Sequence, residues 1–209
     1  MHRTIGLLCA SILALSSCAD FAYQRATRGL SRMREQANLM QQLMKEPDLP
    51  TWYNQREGVT QALGDRVFDK SFDQVFNALV VALSSMGAEV SNMERQSGYI
   101  AARGKILPPD RSKALRHEGL VEYCRHHGYD PSLLDVRKGS DFEIDPDMGG
   151  SMMDKWATAM TISLVKQGEK QTKVKLRFTG VYYPRLLEES YKVVWPTLDK
   201  QIFLDKNLD

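Results

Sequence analysis

Three histidines and a cysteine stand close together in the second half of the chain: His117, Cys124, His126 and His127, with Glu118 and Glu122 among them. Imidazole, thiolate and carboxylate are the ligand types of zinc, and the same groups can activate water or attack a carbonyl. On a helix His117 shares a face with Val121 and Cys124. Their spacing matches no established zinc pattern, so a solvated, His-rich helix end is expected. A metal-dependent or hydrolytic enzyme built on these four residues is the alternative. Further on, Asp141, Glu143, Asp145 and Asp147 place carboxylates at every second position, as a calcium loop does. Pro146 follows the third acid, however, and the turn glycine and closing glutamate of such a loop are missing. The stretch from Asp145 to Gly150 is read as a turn, with Gly149 and Gly150 free to take positive φ. Met148, Met152, Met153 and Trp156 come next; they form either an adaptable partner surface or a buried patch beneath this segment. No nucleophile elbow, phosphate-cradling glycine loop or serine–histidine pairing is found. No catalytic residue is therefore assigned, and a non-catalytic role is expected.

Composition narrows the classes further. The chain has 209 residues, 43% hydrophobic and 26% charged, enough for one globular core. Its formal charge is +2, and Lys and Arg are interspersed with Asp and Glu. Nucleic-acid binding has no electrostatic basis in that pattern.

The N-terminus indicates the compartment. Arg3 precedes an apolar run from Ile5 to Leu15, which is too short to span a bilayer and reads as a signal-peptide core. The following Leu15-Ser16-Ser17-Cys18 resembles the lipobox of bacterial lipoproteins: an aliphatic residue, two small residues and a cysteine. The resemblance implies cleavage after residue 17 and a diacylglyceryl group on the Cys18 thiol. It also implies an N-acyl chain, typically palmitate, on the new amino group. Several acyl chains anchor a protein stably where one does not. Ala19 follows the cysteine, and by the sorting rule of that family the outer membrane, facing the periplasm, is the expected site. Beyond this covalent lipid no cofactor is expected. With Cys9 in the signal and Cys18 lipidated, Cys124 is left as a lone thiol without an internal disulfide.

The elements that must carry these residues follow from periodicity. From Phe21 to Glu46 the chain is polar and rich in helix formers, with Leu30, Met33, Leu39 or Met40, and Leu43 near one face. It reads as a helical spacer above the membrane or as a docking segment for a partner. Asp48 and Pro50 end it, and Thr51 to Ala62 reads as a connection. Arg66-Val67-Phe68 ends a short strand. Ser71 and Gln74 form a capping box ahead of Phe72, Val75, Phe76, Leu79, Val80, Leu83 and Met86, which recur at helical steps until Gly87. Alternation places strands from Ala88 to Met93, Tyr99 to Ala102, Trp156 to Val165 and Thr172 to Tyr182. A short helix lies near Leu115, Leu120 and Tyr123. A terminal helix spans Leu186 to Leu204, with Tyr191, Val194 or Trp195, Leu198, Ile202 and Phe203 inward; Pro196 must start, kink or divide it.

The organisation is thus residues 1–17 as signal peptide, 18–63 as lipid anchor and helical spacer, and 64–209 as one domain with an insertion at about 105–155. The order β-α-β-β, insertion, β-β-α predicts an α+β fold, an antiparallel sheet with its helices on one face. Ser71 to Leu79, Met86 to Val90, Ser97 to Ile100 and Trp195 to Leu204 are the residues that carry a similarity to small envelope lipoproteins. The domain is loosely similar to the helix-grip domains of BamC-type lipoproteins. That similarity implies a protein-binding or envelope-structural role, with a membrane and an envelope protein as partners, and carries over no catalytic residue. A small-ligand carrier is a further alternative, requiring an apolar cavity between helices and sheet.

Overall fold

The computed structural model describes residues 27, 29–134 and 158–205. A helix over 29–45 (α1) is followed by α2 (Pro50–Leu63), β1 (Asp65–Phe68), α3 (Phe72–Ser85), β2 (Glu89–Glu94) and β3 (Tyr99–Gly104). Then come α4 (Pro109–His127), a 3₁₀ turn (Pro131–Leu134), β4 (Thr158–Gly168), β5 (Gln171–Thr179) and α5 (Pro184–Asp205). The strands form one antiparallel sheet in the order β1-β5-β4-β3-β2, so the expected α+β architecture is present.

Local chemistry explains where these elements start and stop. The Ser71 hydroxyl accepts from the Gln74 amide while the Gln74 side chain accepts from the Ser71 amide, closing the expected capping box at the head of α3. The tail of α3 ends at Gly87, whose φ of 73° suits a residue without Cβ. Gly98 closes the β2–β3 turn at φ 69°, and a Cβ there would sit 2.5 Å from the Leu164 carbonyl oxygen. Both its conformation and its close approach to β4 require glycine.

The principal core lies between one face of the sheet and the pair α3 and α5. Ile100, Ala102, Met160, Ile162, Leu164, Val174 and Leu176 point into it from the strands. Val75, Phe76, Leu79 and Leu83 meet them from α3, and Leu187, Tyr191, Val194, Trp195 and Leu198 from α5. Burying each such side chain stabilises the fold by about 1.5–3 kcal/mol before entropy is counted.

Five expectations are corrected. Thr51 to Ala62 is not a connection but helix α2, because Pro50 occupies its first turn, where a missing N–H costs nothing. Residues 29–63 do not stand apart as a spacer: Leu39, Leu49 and Trp52 are buried against α4 and Tyr183 in a second core. The short helix in the insertion is α4, 19 residues long. Strand β2 does not alternate through Asn92, because a register shift between Val90 and Asn92 turns Asn92 away from the core parity. At the chain's end α5 runs on through Pro196, and Phe203 is 64% exposed rather than inward.

Candidate functional site

Helix α4 carries all four candidate metal residues and keeps them apart. His117 and His126 are exposed, His127 is half-buried, and Cys124 is fully buried in the second core. At 1.5 Å per residue, His117 stands about 10 Å along the axis from Cys124. The His127 ring packs on Tyr123 with centroids 4.3 Å apart, and His126 lies edge-on to it at 5.0 Å. Nε2 of His127 is shielded from solvent and has no hydrogen-bond partner among the described residues. Among those residues no group of three or more His, Cys, Asp or Glu could hold a metal ion, so the proposed set His117, Cys124, His126 and His127 does not form one. His117 and Cys124 share a face but stand two turns apart, while His126 and His127 point elsewhere around the helix. Burial, followed by the nearby Asp130 charge, pushes the Cys124 thiol above its ordinary range. Such a thiol is protonated at neutral pH and out of reach of substrate, the opposite of an activated nucleophile.

The remaining candidates, Cys18, the acidic run from Asp141 to Asp147, and Met148, Met152, Met153 and Trp156, lie outside the described residues. The carrier alternative meets a filled interior. Between helices and sheet, Phe76, Leu79, Leu83, Ile100, Met160, Ile162, Leu176 and Tyr191 are each buried almost completely.

Two features stand out instead. One is the sheet face opposite the principal core. Pairing aligns Glu94, Tyr99, Ser163, Lys175 and Asp65 in one row across the five strands. Asn92, Ala101, Thr161 and Arg177 form the next row, and Glu89, Arg103, Ala159 and Thr179 the third. Every one of these residues is half-buried or exposed. The centre of the face is made of small and hydroxyl side chains, while β2 contributes acids and β5 contributes Lys173, Lys175 and Arg177. Asp65 is held at the β1 side by Lys173 at 2.9 Å and Arg177 at 2.7 Å. The hydrogen bond from Lys173, reinforced by Arg177 against the cost of desolvation, lowers the Asp65 pKa below its ordinary value. Alternating strands had marked this face as wet; which residues would line up across it depends on register and could not be read.

The other feature is the seam joining α1 and α2 to α4 and α5. The indole N–H of Trp52 donates to Glu122 at 2.9 Å, and the Tyr123 hydroxyl donates to the Glu46 carbonyl at 2.7 Å. Arg32 and Gln36 donate to the carbonyls of Ser132 and Leu133. Arg56 forks onto both carboxylate oxygens of Asp48 and also donates to the Tyr182 carbonyl. A fork of this kind fixes orientation as well as charge. Gly119 lets α4 approach Tyr183 so closely that a Cβ would lie 2.9 Å from the ring.

No protein-family model matches the chain, and a search of curated proteins returns no match.

Proposed function

We propose that this protein is a lipid-anchored envelope protein whose α+β domain acts as a non-catalytic binding module, held by Cys18 at the periplasmic side of an outer membrane. The observation that carries the binding role is the sheet face that the other described residues leave half-buried or exposed. An antiparallel sheet can leave one face to water, but this one has a small-residue centre of Ala101, Ala159, Thr161 and Ser163 between the acids of edge strand β2 and the basic residues of β5. Such a surface offers shape and opposite charges to an envelope protein without offering a reactive group. The Leu15-Ser16-Ser17-Cys18 segment supports the anchor, and tethering raises the effective concentration of the module where its partner works. The seam between α1 and α4 supports a module held close to that anchor, since the chain entering from Cys18 soon becomes part of the fold.

A photo-reactive residue placed at Thr161 in the full-length chain tests the binding role, with Asn77 on the outer side of α3 as the control position. The expected result is a discrete protein adduct from position 161 alone, lost when Arg103 and Lys175 are both changed to Glu. Equal adducts from 161 and 77, or none from 161, would contradict the assignment of this face.

A further inference from the structure

Helix α1 has a second apolar face that is left exposed among the described residues. Arg32, Gln36 and Leu39 engage the 3₁₀ turn and the second core. Leu30, Met33, Ala37, Met40 and Met44 follow a different line, at steps of three, four, three and four. Leu30 is 63% exposed, Met33 48%, Met40 39% and Met44 65%, and Ala37 is exposed as well. At 100° per residue this stripe points about 110° away from the docked face. Charge is distributed around the helix with the same asymmetry. Arg34 borders the stripe on one side, with Lys45 next around the helix, whereas Glu35 lies on the far side of the axis. An exposed apolar stripe with a basic residue at its border and the acid turned away is complementary to an anionic lipid surface.

We propose that this stripe rests in the interfacial layer of the bilayer, with α1 lying in the membrane plane and the domain carried beside it. The inference builds on the lipid-anchor reading of Cys18. The chain from Cys18 to residue 29 spans at most about 40 Å even when fully extended, so the anchor keeps α1 near the lipid. A second copy of the chain is the competing occupant, because steps of three and four also make a coiled-coil seam. Here the seam has only two heptads, and its flanks carry Arg34 and Gln41 on one side and Gln36 and Leu43 on the other. Gln36 is already bonded to Leu133, and no oppositely charged pair could form across such a dimer.

The test places a photo-reactive residue, one position at a time, at Met33, Met40 and Met44 of the full-length chain in a bacterial host. Glu35 and Asn38 on the far side are the controls. Cys18 acylation is followed in the same cells with a palmitate analogue. Phospholipid adducts, read by the mass of the modified peptide, are expected at least tenfold more often from the three methionine positions than from the controls. An adduct of twice the chain mass, an adduct with another protein, or phospholipid adducts no more frequent than at the controls would overturn the proposal. Acylated Cys18 with no stripe-selective lipid adduct removes the membrane contact of α1 and leaves the anchor standing. Stripe-selective adducts without acylation uphold the contact and remove the anchor.

Discussion

The hydroxyl of Tyr123 donates to the main-chain carbonyl of Glu46 at 2.7 Å, tying the insertion helix to the end of the N-terminal helix across 77 positions of sequence. Burial, with smaller contributions from Glu46 and the neighbouring Tyr129 and Cys124, raises the Tyr123 pKa, so the phenol stays protonated and remains a donor. Tyr123→Phe should cost about 0.5–1.5 kcal/mol. Leu39→Ala, which empties a fully buried site in the same core, should cost about 2–5 kcal/mol. Urea denaturation of both variants checks the order; equal stability of Leu39→Ala and wild type would mean that α1 is not docked.

Gly119→Ala sets two effects against each other. Alanine favours a helix interior over glycine by about 1 kcal/mol. The new Cβ would meet the Tyr183 ring at its base, 2.9 Å away, and that ring is itself braced edge-on against Trp52 at 5.4 Å. A braced ring cannot swing aside as a flexible chain end could, and overpacking costs about 1–3 kcal/mol. Net destabilisation is expected, measured as a lower thermal midpoint; a higher midpoint would show that α4 and Tyr183 are not in contact.

Much of the principal domain was legible because its signals are local. Ser71 and Gln74 are three residues apart, the α3 stripe repeats within one helix, and Val174, Leu176 and Phe178 alternate along one strand. The second core was not legible, because Leu39, Trp52 and Tyr123 come from three separate helices and Tyr183 from the loop before α5, and they share no pattern. Pro50 reads equally well as a stop for one helix or the first turn of the next, which concealed α2. Gly119 and a run of charges interrupt the apolar period of α4 and shortened it in the reading. Of the candidate metal residues, proximity in sequence and the shared face of His117 and Cys124 were visible, but the burial of Cys124 in the second core was not.

Asp65 should make stability respond to acid. A carboxyl whose folded-state pKa is lowered contributes stability that is present above its unfolded value and is lost as pH falls through the folded value. The advantage of wild type over Asp65→Asn is therefore expected at pH 7 and should shrink as the pH falls below the ordinary value of 3.8. With both cationic partners partly exposed, the advantage should stay below about 1 kcal/mol. Denaturation midpoints of the two proteins at pH 7 and pH 2.5 check this, and a gap that does not change with pH would contradict it.

Cys124 should behave as a core residue. In a chain with Cys9→Ser and Cys18→Ser, maleimide labelling is expected to be negligible under native conditions and to reach one equivalent in denaturant. Added Zn²⁺ should leave the melting temperature unchanged. Rapid native labelling, or a rise in melting temperature with zinc, would bring back the metal or thiol chemistry that the geometry of α4 speaks against.

The central claim, a binding module tethered through Cys18, is tested most directly by metabolic labelling with a palmitate analogue. Wild type and Cys18→Ala are compared by label, by mature N-terminal mass and by membrane fractionation. The expected result is a labelled, membrane-bound wild type whose mature chain begins at an acylated Cys18, and a variant without label. A variant labelled as strongly as wild type, or a wild type with an unmodified Cys18, would contradict the claim.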